Sequence, residues 1–270
     1  MSAPPLRIMG VVNVTPDSFS DGGLWLDPIA AVAHARDLAA QGADILDVGG
    51  ESTRPGAEPV PAAEELRRVV PVISGIAGEV ERARISIDTS KVEVAEAAVA
   101  AGATCVNDIT AFRGDPSMAA FVADRGVDCC LMHMLGEPRT MQDDPRYDDV
   151  VDDVRAFLEE RLAVAVRAGV TEERIMLDPG IGFGKTLEHN LELLRRLDEI
   201  AAIGPPVVVG ASRKSFLGRI TGRETAADRV AGTVAANLIA FQRGARVFRV
   251  HDVAPTRDAL AVAAATLGAR

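Results

Sequence analysis

The sequence lacks an excess of basic residues, because its 29 lysines and arginines are outnumbered by 39 aspartates and glutamates. The resulting formal charge of -10 argues against a nucleic-acid surface, which depends on clustered lysine and arginine. We therefore expect no nucleic-acid partner. Any phosphate group must be held locally by a few cations.

Long apolar segments are also missing. No run reaches the roughly 18 apolar residues that a membrane-spanning helix needs. The first residues lack the charged and apolar regions of a signal peptide. These absences lead us to expect a cytoplasmic protein with no membrane partner.

Cysteine is scarce and odd in number, with only Cys105, Cys129 and Cys130 in the chain. All three lie in apolar runs, so we predict reduced core residues rather than a disulfide framework. A zinc site built from Cys129, Cys130 and His133 is the alternative. No second ligand pair stands at zinc spacing, which speaks against that site.

The sequence does contain a repeated alternation of short apolar runs and longer amphipathic segments, the pattern of parallel β-α units. The predicted strands are Arg7–Val14, Ala43–Gly49, Arg84–Asp88, Cys105–Ile109, Cys129–His133, Ile175–Asp178, Val207–Ala211 and Arg246–His251. The predicted helices are Pro28–Gln41, Ala62–Ile76, Lys91–Ala101, Pro116–Arg125, Asp149–Ala168, Leu187–Ile203, Ala226–Gln242 and Thr256–Leu267.

Eight such units in 270 residues predict a single (β/α)8 TIM barrel with parallel strands that spans residues 1–270 as one domain. An open, doubly wound sheet is the alternative, but the first glycine-rich bend does not match G-x-G-x-x-G. Glycines follow six of the predicted helices, where a left-handed C-terminal cap is expected, at Gly42, Gly102, Gly126, Gly169, Gly204 and Gly244.

Polar residues stand at the ends of the predicted strands. In a parallel barrel the carboxyl ends of the strands converge on one mouth. Each residue alone has an ordinary explanation as a helix cap or turn residue. Together they predict a site built from Asn13, Asp47, Asp88, Asn107, Asp108, His133, Asp178, Ser212, Arg213, Lys214, Arg249 and His251.

These residues fall into two chemical groups. Asp88, Asn107 and Asp178 supply acceptors and an amide, which suit a flat heterocycle with N–H and amino donors. The second group supplies donors or a metal ligand for phosphate oxygens, and it contains Lys214, Arg249, His251 and Asn13. Two long polar connections, at 15–23 and 50–56, follow strands and are expected to move over this mouth. We assign no role to a third, Leu135–Asp148.

Within the stretch Ile175–Lys185, an apolar run ends on Asp178 and then enters a bend with three glycines. Glycine lets the backbone approach whatever is held there. A phosphate loop is rejected, because Gly180 and Gly184 are separated by three residues where that motif requires four. A Ser212-His251-Asp178 triad is rejected because Ser212 lacks the G-x-S-x-G elbow.

Seven ordered motifs resemble the dihydropteroate synthases of the folate pathway, over nearly the whole chain. They run from Met9 to Gly23, Asp47 to Gly56, Ser86 to Thr89, Val106 to Asp108, Leu177 to Lys185, Gly210 to Phe216 and Arg249 to Asp252. The resemblance implies a transferase that joins 6-hydroxymethyl-7,8-dihydropterin diphosphate to 4-aminobenzoate. Its products would be 7,8-dihydropteroate and pyrophosphate, and sulfonamides would occupy the aminobenzoate pocket.

The same resemblance implies site roles. The pterin would be bound by Asp88, Asn107, Ile109, Met132, Asp178, Phe183 and Lys214, with Asp88, Asp178 and Lys214 catalytic. The pyrophosphate would be held by Asn13, Arg249 and His251, with Asn13 acting through Mg²⁺, and the 4-aminobenzoate would lie near Phe19, Thr53, Arg54, Pro55 and Ser212. A homodimer through the apolar helix Ala226–Gln242 is implied, and the alternative is a helix that packs on its own barrel alone.

Two competing interpretations remain. A methyltetrahydrofolate:corrinoid methyltransferase shares the ring contacts but has no pyrophosphate to hold, so the cations near 212–214 and 249–251 disfavour it. A catalytically silent pterin-binding module would keep Asp88, Asn107 and Asp178 but lose loop residues or cations. All of these residues are present in the sequence.

Overall fold

In the computed structural model, which describes residues 5–15, 28–54, 56–80 and 82–268, eight parallel strands form one sheet. The strands are β1 (Arg7–Asn13), β2 (Ile45–Gly49), β3 (Arg84–Asp88), β4 (Cys105–Asp108), β5 (Asp128–Met132), β6 (Ile175–Asp178), β7 (Val208–Val209) and β8 (Val247–Val250). Their order is β6-β5-β4-β3-β2-β1-β8-β7, so consecutive strands are neighbours except where β1 meets β8.

The remaining seam, between β6 and β7, is bridged by a parallel contact of Leu177 with Val207. The amide of Leu177 also donates to the carbonyl of Pro206 at 3.0 Å. The first strand therefore pairs with the last, and the two ends of the strand order meet. This arrangement confirms the (β/α)8 barrel and excludes the open doubly wound sheet.

Helices follow the strands and cover the outside of the barrel. They are α1 (Pro28–Ala40), α2 (Ala62–Ile76), α3 (Val92–Ala100), α4 (Met118–Arg125), α5 (Val150–Arg167), α6 (Leu187–Arg195), α7 (Leu197–Ala201), α8 (Ser215–Thr221), α9 (Val230–Gln242) and α10 (Val253–Leu267), with 3-10 turns at Glu172–Arg174 and Ala226–Arg229. The six glycines expected to cap helices all have positive φ.

Two helix predictions were wrong in detail, and one helix was missed. The predicted helix Leu187–Ile203 breaks at Arg196, whose backbone leaves the helical region and whose guanidinium pairs with Asp149 and Glu199 instead. The predicted helix Ala226–Gln242 begins with a 3-10 turn. Helix α8 was not predicted, because only seven residues form it and so short a segment carries little periodicity.

Side-chain alternation along the strands explains where the site forms. A buried apolar layer inside the barrel takes one residue from each of seven strands, namely Met9, Ile45, Cys105, Cys130, Met176, Val208 and Val247. Successive strand side chains point to opposite faces, so the residue two positions later also faces inward. That next layer includes Asp47, Asn107, Met132, Asp178 and Arg249, which places polar groups directly above an apolar plug.

Two absences concern only the described part of the chain. Among its helices, none combines the length and apolar character needed to cross a bilayer. All three cysteines are free and buried, and no cluster of three or more histidine, cysteine, aspartate or glutamate side chains offers a metal site within residues 5–15, 28–54, 56–80 and 82–268. The structure thus offers no support for the zinc site at Cys129, Cys130 and His133.

Candidate active site

The floor of the barrel mouth is a charged cluster formed by strands that are not neighbours. Asp47 of β2 accepts a hydrogen bond through Oδ2 from Asn107 Nδ2 of β4 at 3.0 Å. The same oxygen accepts from Arg249 Nε of β8 at 2.7 Å. Strands β2, β4 and β8 do not pair with one another, so these contacts cross the interior of the barrel.

Asp88, at the end of β3, shares the guanidinium of Arg249. Arg249 Nη2 donates to Asp88 Oδ2 at 2.8 Å. Burial raises the pKa of Asp88 to about 7; the Arg249 charge opposes this shift, and the Asp47 carboxylate adds to it. Asp88 therefore titrates near neutral pH in the free protein, although it contacts a cation.

Asp178 ends β6 and is buried at the opposite side of the cluster. Its Oδ1 accepts from the amide of Gly180 at 2.7 Å, which fixes the carboxylate at the start of the glycine-rich bend. Burial raises the pKa of Asp178, whereas the Lys214 charge and the Gly180 hydrogen bond lower it. The second oxygen faces the region near Gly210 and Lys214.

Lys214 lies just before α8, and its side chain crosses to the glycine-rich bend. Its Nζ donates to the carbonyl of Ile181 and lies 4.4 Å from the ring centre of Phe183. Burial lowers the pKa of Lys214 to about 8, while the Asp178 carboxylate opposes that shift. The Lys214 ammonium thus lies over an aromatic face, with the Asp178 carboxylate near enough for each charge to act on the pKa of the other.

The predicted apolar wall for the ring is one cluster in the structure. Ile109, Met132 and Phe183 pack together with two methionines that the sequence analysis did not assign, Met134 and Met141. Met134 lies two residues beyond Met132, so strand alternation was a usable signal for it. Met141 lies in the connection Leu135–Asp148, for which no sequence signal indicated a role.

That connection is bound to the glycine-rich bend. Gln142 Nε2 donates to the carbonyl of Gly182 at 2.6 Å, and the Tyr147 hydroxyl donates to the carbonyl of Gly184 at 2.7 Å. The connection also contacts the loop after β2, where the amide of Gly56 donates to the carbonyl of Pro138 at 3.3 Å. The connection therefore holds the bend that carries Phe183 and touches a loop over the mouth.

The glycines of the bend permit a close backbone approach, but their nearest neighbour is protein. A Cβ at Gly180 would lie 1.9 Å from the carbonyl oxygen of His133, and one at Gly184 would lie 2.8 Å from the carbonyl oxygen of Leu135. Both positions also have positive φ. The sequence predicts that these glycines make room for what the bend holds; in the structure they let the bend pack against the end of β5.

Lys185 follows the bend and is buried, with Nζ 2.9 Å from His133 Nδ1 and donating to the carbonyl of Phe183 at 3.0 Å. Burial lowers the pKa of Lys185 well below its usual value. Burial and the Lys185 charge lower the pKa of His133 to about 2. Lys185 thus stabilises the bend from beneath, in agreement with the rejection of a phosphate loop, and His133 faces Lys185 rather than a ligand.

His251 and Ser212 lie together at the mouth, with Ser212 Oγ 3.0 Å from His251 Nδ1 and accepting from the His251 amide at 3.2 Å. Burial lowers the pKa of His251 to about 3, helped by the Arg249 and Arg213 charges. The predicted cation Arg213 is instead paired with Asp252 through two hydrogen bonds. Asp178 bonds to Gly180, so the rejected triad is not assembled.

The remaining predicted residues are partly described. Asn13 ends β1 opposite Gly49 of β2, half-buried at the mouth. Thr53 and Arg54 follow β2, and the Arg54 charge is close enough to lower the pKa of His251. Phe19 and Pro55, predicted near the aminobenzoate, lie outside the described residues.

Comparison with known proteins agrees with this architecture. The family model described as "Pterin binding enzyme" matches residues 9–251. The dihydropteroate synthase of Escherichia coli (strain K12) is 47% identical over 264 residues, which cover 98% of this chain and 93% of that protein. Two solved structures are similar over the barrel. A Xanthomonas albilineans dihydropteroate synthase with 4-aminobenzoic acid is 52% identical, with a TM-score of 0.92 and coverage of 98% of this chain and 94% of that one. A Yersinia pestis dihydropteroate synthase in a sulfonamide drug complex is 43% identical, with a TM-score of 0.92 and coverage of 98% and 95%.

Proposed function

The chain belongs to the dihydropteroate synthases of the pterin-binding enzyme family, and from that premise we propose how its residues divide the reaction. The enzyme is a transferase that joins 6-hydroxymethyl-7,8-dihydropterin diphosphate to 4-aminobenzoate, releasing 7,8-dihydropteroate and pyrophosphate. The division of the site into a pterin part and a diphosphate part rests on one observation. Arg249 contacts Asp88 directly, so an anion subsite and a ring subsite adjoin in one barrel mouth.

The pterin ring binds between the apolar cluster and the buried carboxylates. A dihydropterin carries a guanine-like edge of N–H and NH2 donors, and Asp178 is the buried acceptor for that edge. Asn107 and Asp88 accept from the rest of the ring, and Lys214 donates to its carbonyl side. Ile109, Met132 and Phe183 wall the ring, with Met134 and Met141 packed behind them.

The diphosphate binds at the ends of β8 and β1. Arg249 supplies a planar set of donors that suits phosphate oxygens. His251 is neutral in the free protein and contributes one N–H rather than a charge. The described residues contain no all-protein metal cage, and Mg²⁺ prefers a site shared between few protein oxygens and substrate phosphates. The amide oxygen of Asn13 fits that role, and a bound Mg²⁺ would neutralise charge on the leaving diphosphate.

Bond cleavage between the pterin methylene carbon and the diphosphate oxygen sends the electron pair to the leaving group. The remaining cation is stabilised by the ring and by nearby carboxylates, chiefly Asp88. As negative charge grows on the leaving diphosphate, Arg249 moves towards it. Asp88 is thereby released from its ion pair with Arg249. The amine of 4-aminobenzoate then attacks the methylene carbon and loses a proton, in an SN1-like route.

The 4-aminobenzoate binds on the loop side of the mouth, near Thr53, Arg54 and Ser212. Phe19 and Pro55 remain predicted contacts. Closure of the loop at 50–56 would keep water from the cation. The other connection predicted to move, at 15–23, lies outside the described residues from position 16 onward. Because sulfonamides resemble 4-aminobenzoate in shape and charge, they would compete for this subsite, as a sulfonamide complex of the similar Yersinia pestis enzyme suggests.

Two further features of the molecule support proposals about its oligomeric state and its location in the cell. Helices α9 and α10 expose the apolar side chains of Ile239, Val262 and Leu267. These side chains favour contact with a second copy of the chain, which would form a homodimer. The acidic composition and the lack of a spanning helix in the described part support a cytoplasmic location. Sedimentation equilibrium of wild type and Ile239→Glu tests the dimer, and equal masses for both would exclude α9 from it.

The competing functions differ in whether they need the cationic side chains at the barrel mouth. A corrinoid-dependent methyltransferase has no diphosphate to bind, so the Arg249 pair with Asp88 would have no substrate role. A silent module would bind pterin without turnover. The presence of Lys214, Arg249 and His251 in the same mouth as Asp178 favours the synthase over both.

One assay tests the proposal. Wild-type protein is supplied with pterin diphosphate, 4-aminobenzoate and Mg²⁺, and pyrophosphate and dihydropteroate are measured together. We expect equal amounts of both products, none without 4-aminobenzoate, and a strong loss of rate with a chelator. Folded protein that binds the pterin but releases no pyrophosphate would establish the silent module instead.

A further inference from the structure

Asp47 is the one member of the charged floor to which the proposed function gives no role. Its side chain is fully buried in β2, in the same layer of the barrel as Asn107, Asp178 and Arg249. One carboxylate oxygen, Oδ2, accepts from both Asn107 Nδ2 and Arg249 Nε. Its partners therefore belong to different parts of the reaction: an amide assigned to the pterin and a guanidinium assigned to the diphosphate.

The contact with Asn107 determines which atom of the amide a ligand meets. An asparagine side chain presents a donor at Nδ2 and an acceptor at Oδ1, and rotation by half a turn exchanges them. Because Nδ2 donates to Asp47, Oδ1 is the atom left for a ligand. An acceptor matches the N–H edge of a dihydropterin, whereas the opposite orientation would set donor against donor.

The contact with Arg249 acts in the same way on the guanidinium. Nε is held by Asp47, and Nη2 reaches Asp88. Anchoring Nε fixes the plane of the group, so that its outer nitrogens can exchange Asp88 for phosphate oxygens without losing the anchor. A guanidinium without that anchor would have more orientations to lose on binding.

A purely structural role explains Asp47 less well. Its second oxygen, Oδ1, is buried and has no hydrogen-bond partner among residues 5–15, 28–54, 56–80 and 82–268. A buried carboxylate with one unsatisfied oxygen is a poor choice for stability alone. An apolar residue of similar size would suit the barrel interior, which is apolar one layer below.

We infer that Asp47 is a positioning residue for both halves of the substrate, orienting the Asn107 amide towards the pterin and the Arg249 guanidinium towards the diphosphate. The inference rests on the proposed function, since it presupposes those two ligand groups. In this inference Asp47 itself touches neither ligand group, because its side chain is fully buried and the hydrogen bonds it accepts come from Asn107 and Arg249.

Two substitutions separate orientation from charge. Asp47→Ala and Asp47→Asn remove the same negative charge, but only Asp47→Asn keeps a carbonyl oxygen that can accept from both partners. We expect Asp47→Ala to weaken binding of 6-hydroxymethyl-7,8-dihydropterin about tenfold or more, and kcat/KM for the diphosphate to fall further. Asp47→Asn should recover most of both losses.

Val48→Ala is the matched control. Val48 is the next residue on β2, equally buried, but its side chain packs in the core between barrel and helices. It should lower thermal stability with pterin affinity unchanged. Equal defects in Asp47→Ala and Asp47→Asn, or a defect in Val48→Ala as large as that in Asp47→Ala, would overturn the inference.

A measurement on the wild-type protein covers the case in which Asp47→Ala fails to fold. The side-chain amide protons of Asn107, assigned by their loss in Asn107→Asp, should exchange slowly with solvent and stay bound to Asp47 when pterin is added. Amide protons that shift to the ligand would overturn the inference. Because pterin affinity and amide-proton exchange are measured without turnover, they remain informative even if wild type releases no pyrophosphate, a result that would contradict the proposed function alone.

Discussion

Arg249 donates from Nη2 to Asp88 Oδ2 at 2.8 Å, so the cation assigned to the diphosphate contacts the carboxylate assigned to the reacting carbon. Hydrogen bonds between charged groups contribute about 1.5–3 kcal/mol each. In the proposed mechanism, binding of the diphosphate exchanges one strong contact of Arg249 for another. That exchange would leave Asp88 unpaired at the moment when positive charge develops beside it.

The pH dependence of kcat/KM should follow from two shifted groups. Asp88 must be ionised to stabilise a cation, and its pKa is raised to about 7, so activity should rise with pH through that region. Lys214 must be protonated to donate a charged hydrogen bond, and its pKa is lowered to about 8, so activity should fall above it. We expect a bell-shaped profile with a narrow maximum, measured at constant ionic strength.

Lys214→Arg supplies the control for that profile, because arginine stays protonated throughout the range. Any ionisation of the substrate itself is common to wild type and variant. The basic limb should therefore disappear in Lys214→Arg while the acid limb stays near pH 7. A basic limb that persists in the variant would remove Lys214 as its cause.

His251 should act as a neutral donor. Burial and the charges of Arg249 and Arg213 lower its pKa to about 3. In ¹⁵N-labelled protein without ligand, the imidazole nitrogens of His251 should not titrate between about pH 5 and pH 8, unlike an ordinary histidine near 6.5. A midpoint near 6.5 would contradict this, and would make His251 a charged ligand for the diphosphate.

The bend after β6 should tolerate no side chain at Gly180. A Cβ there would lie 1.9 Å from the His133 carbonyl oxygen, so Gly180→Ala must displace the bend that carries Phe183. Gly222 has a similar positive φ but open space around it. We expect Gly222→Ala to cost about 1 kcal/mol of unfolding free energy and Gly180→Ala about 3 kcal/mol or more, with pterin affinity lost only in the latter. Denaturant unfolding and pterin titration measure both, and equal effects would show that space does not matter here.

The barrel was predictable because its signals are local. Strand-length apolar runs, terminal polar residues and helix-capping glycines each occupy a few consecutive positions, and the stretch that ends at Asp178 shows the first two in four residues. The polar residues proposed for the site could be collected because most of them lie at or shortly after a strand end, where the barrel geometry brings them together.

The pairing between those residues was not predictable. Asp47 and Arg249 are 202 positions apart, and no local pattern says which of several strand-end acids an arginine will contact. Met141 was missed for the same reason, since it joins the pterin wall from an irregular connection without periodicity. Arg213 was grouped with site cations by position alone, but it has a positive φ and its guanidinium turns to Asp252.

The division of the mouth into a ring subsite and an anion subsite is tested most directly by one ratio. Calorimetry would give the affinities for 6-hydroxymethyl-7,8-dihydropterin with and without its diphosphate, in the presence of Mg²⁺. In Asp178→Asn both affinities should fall by a similar factor, leaving their ratio as in wild type. In Arg249→Gln the ratio itself should fall, by about tenfold or more, because only the diphosphate loses its partner. An unchanged ratio in Arg249→Gln, or a collapsed ratio in Asp178→Asn, would contradict the division.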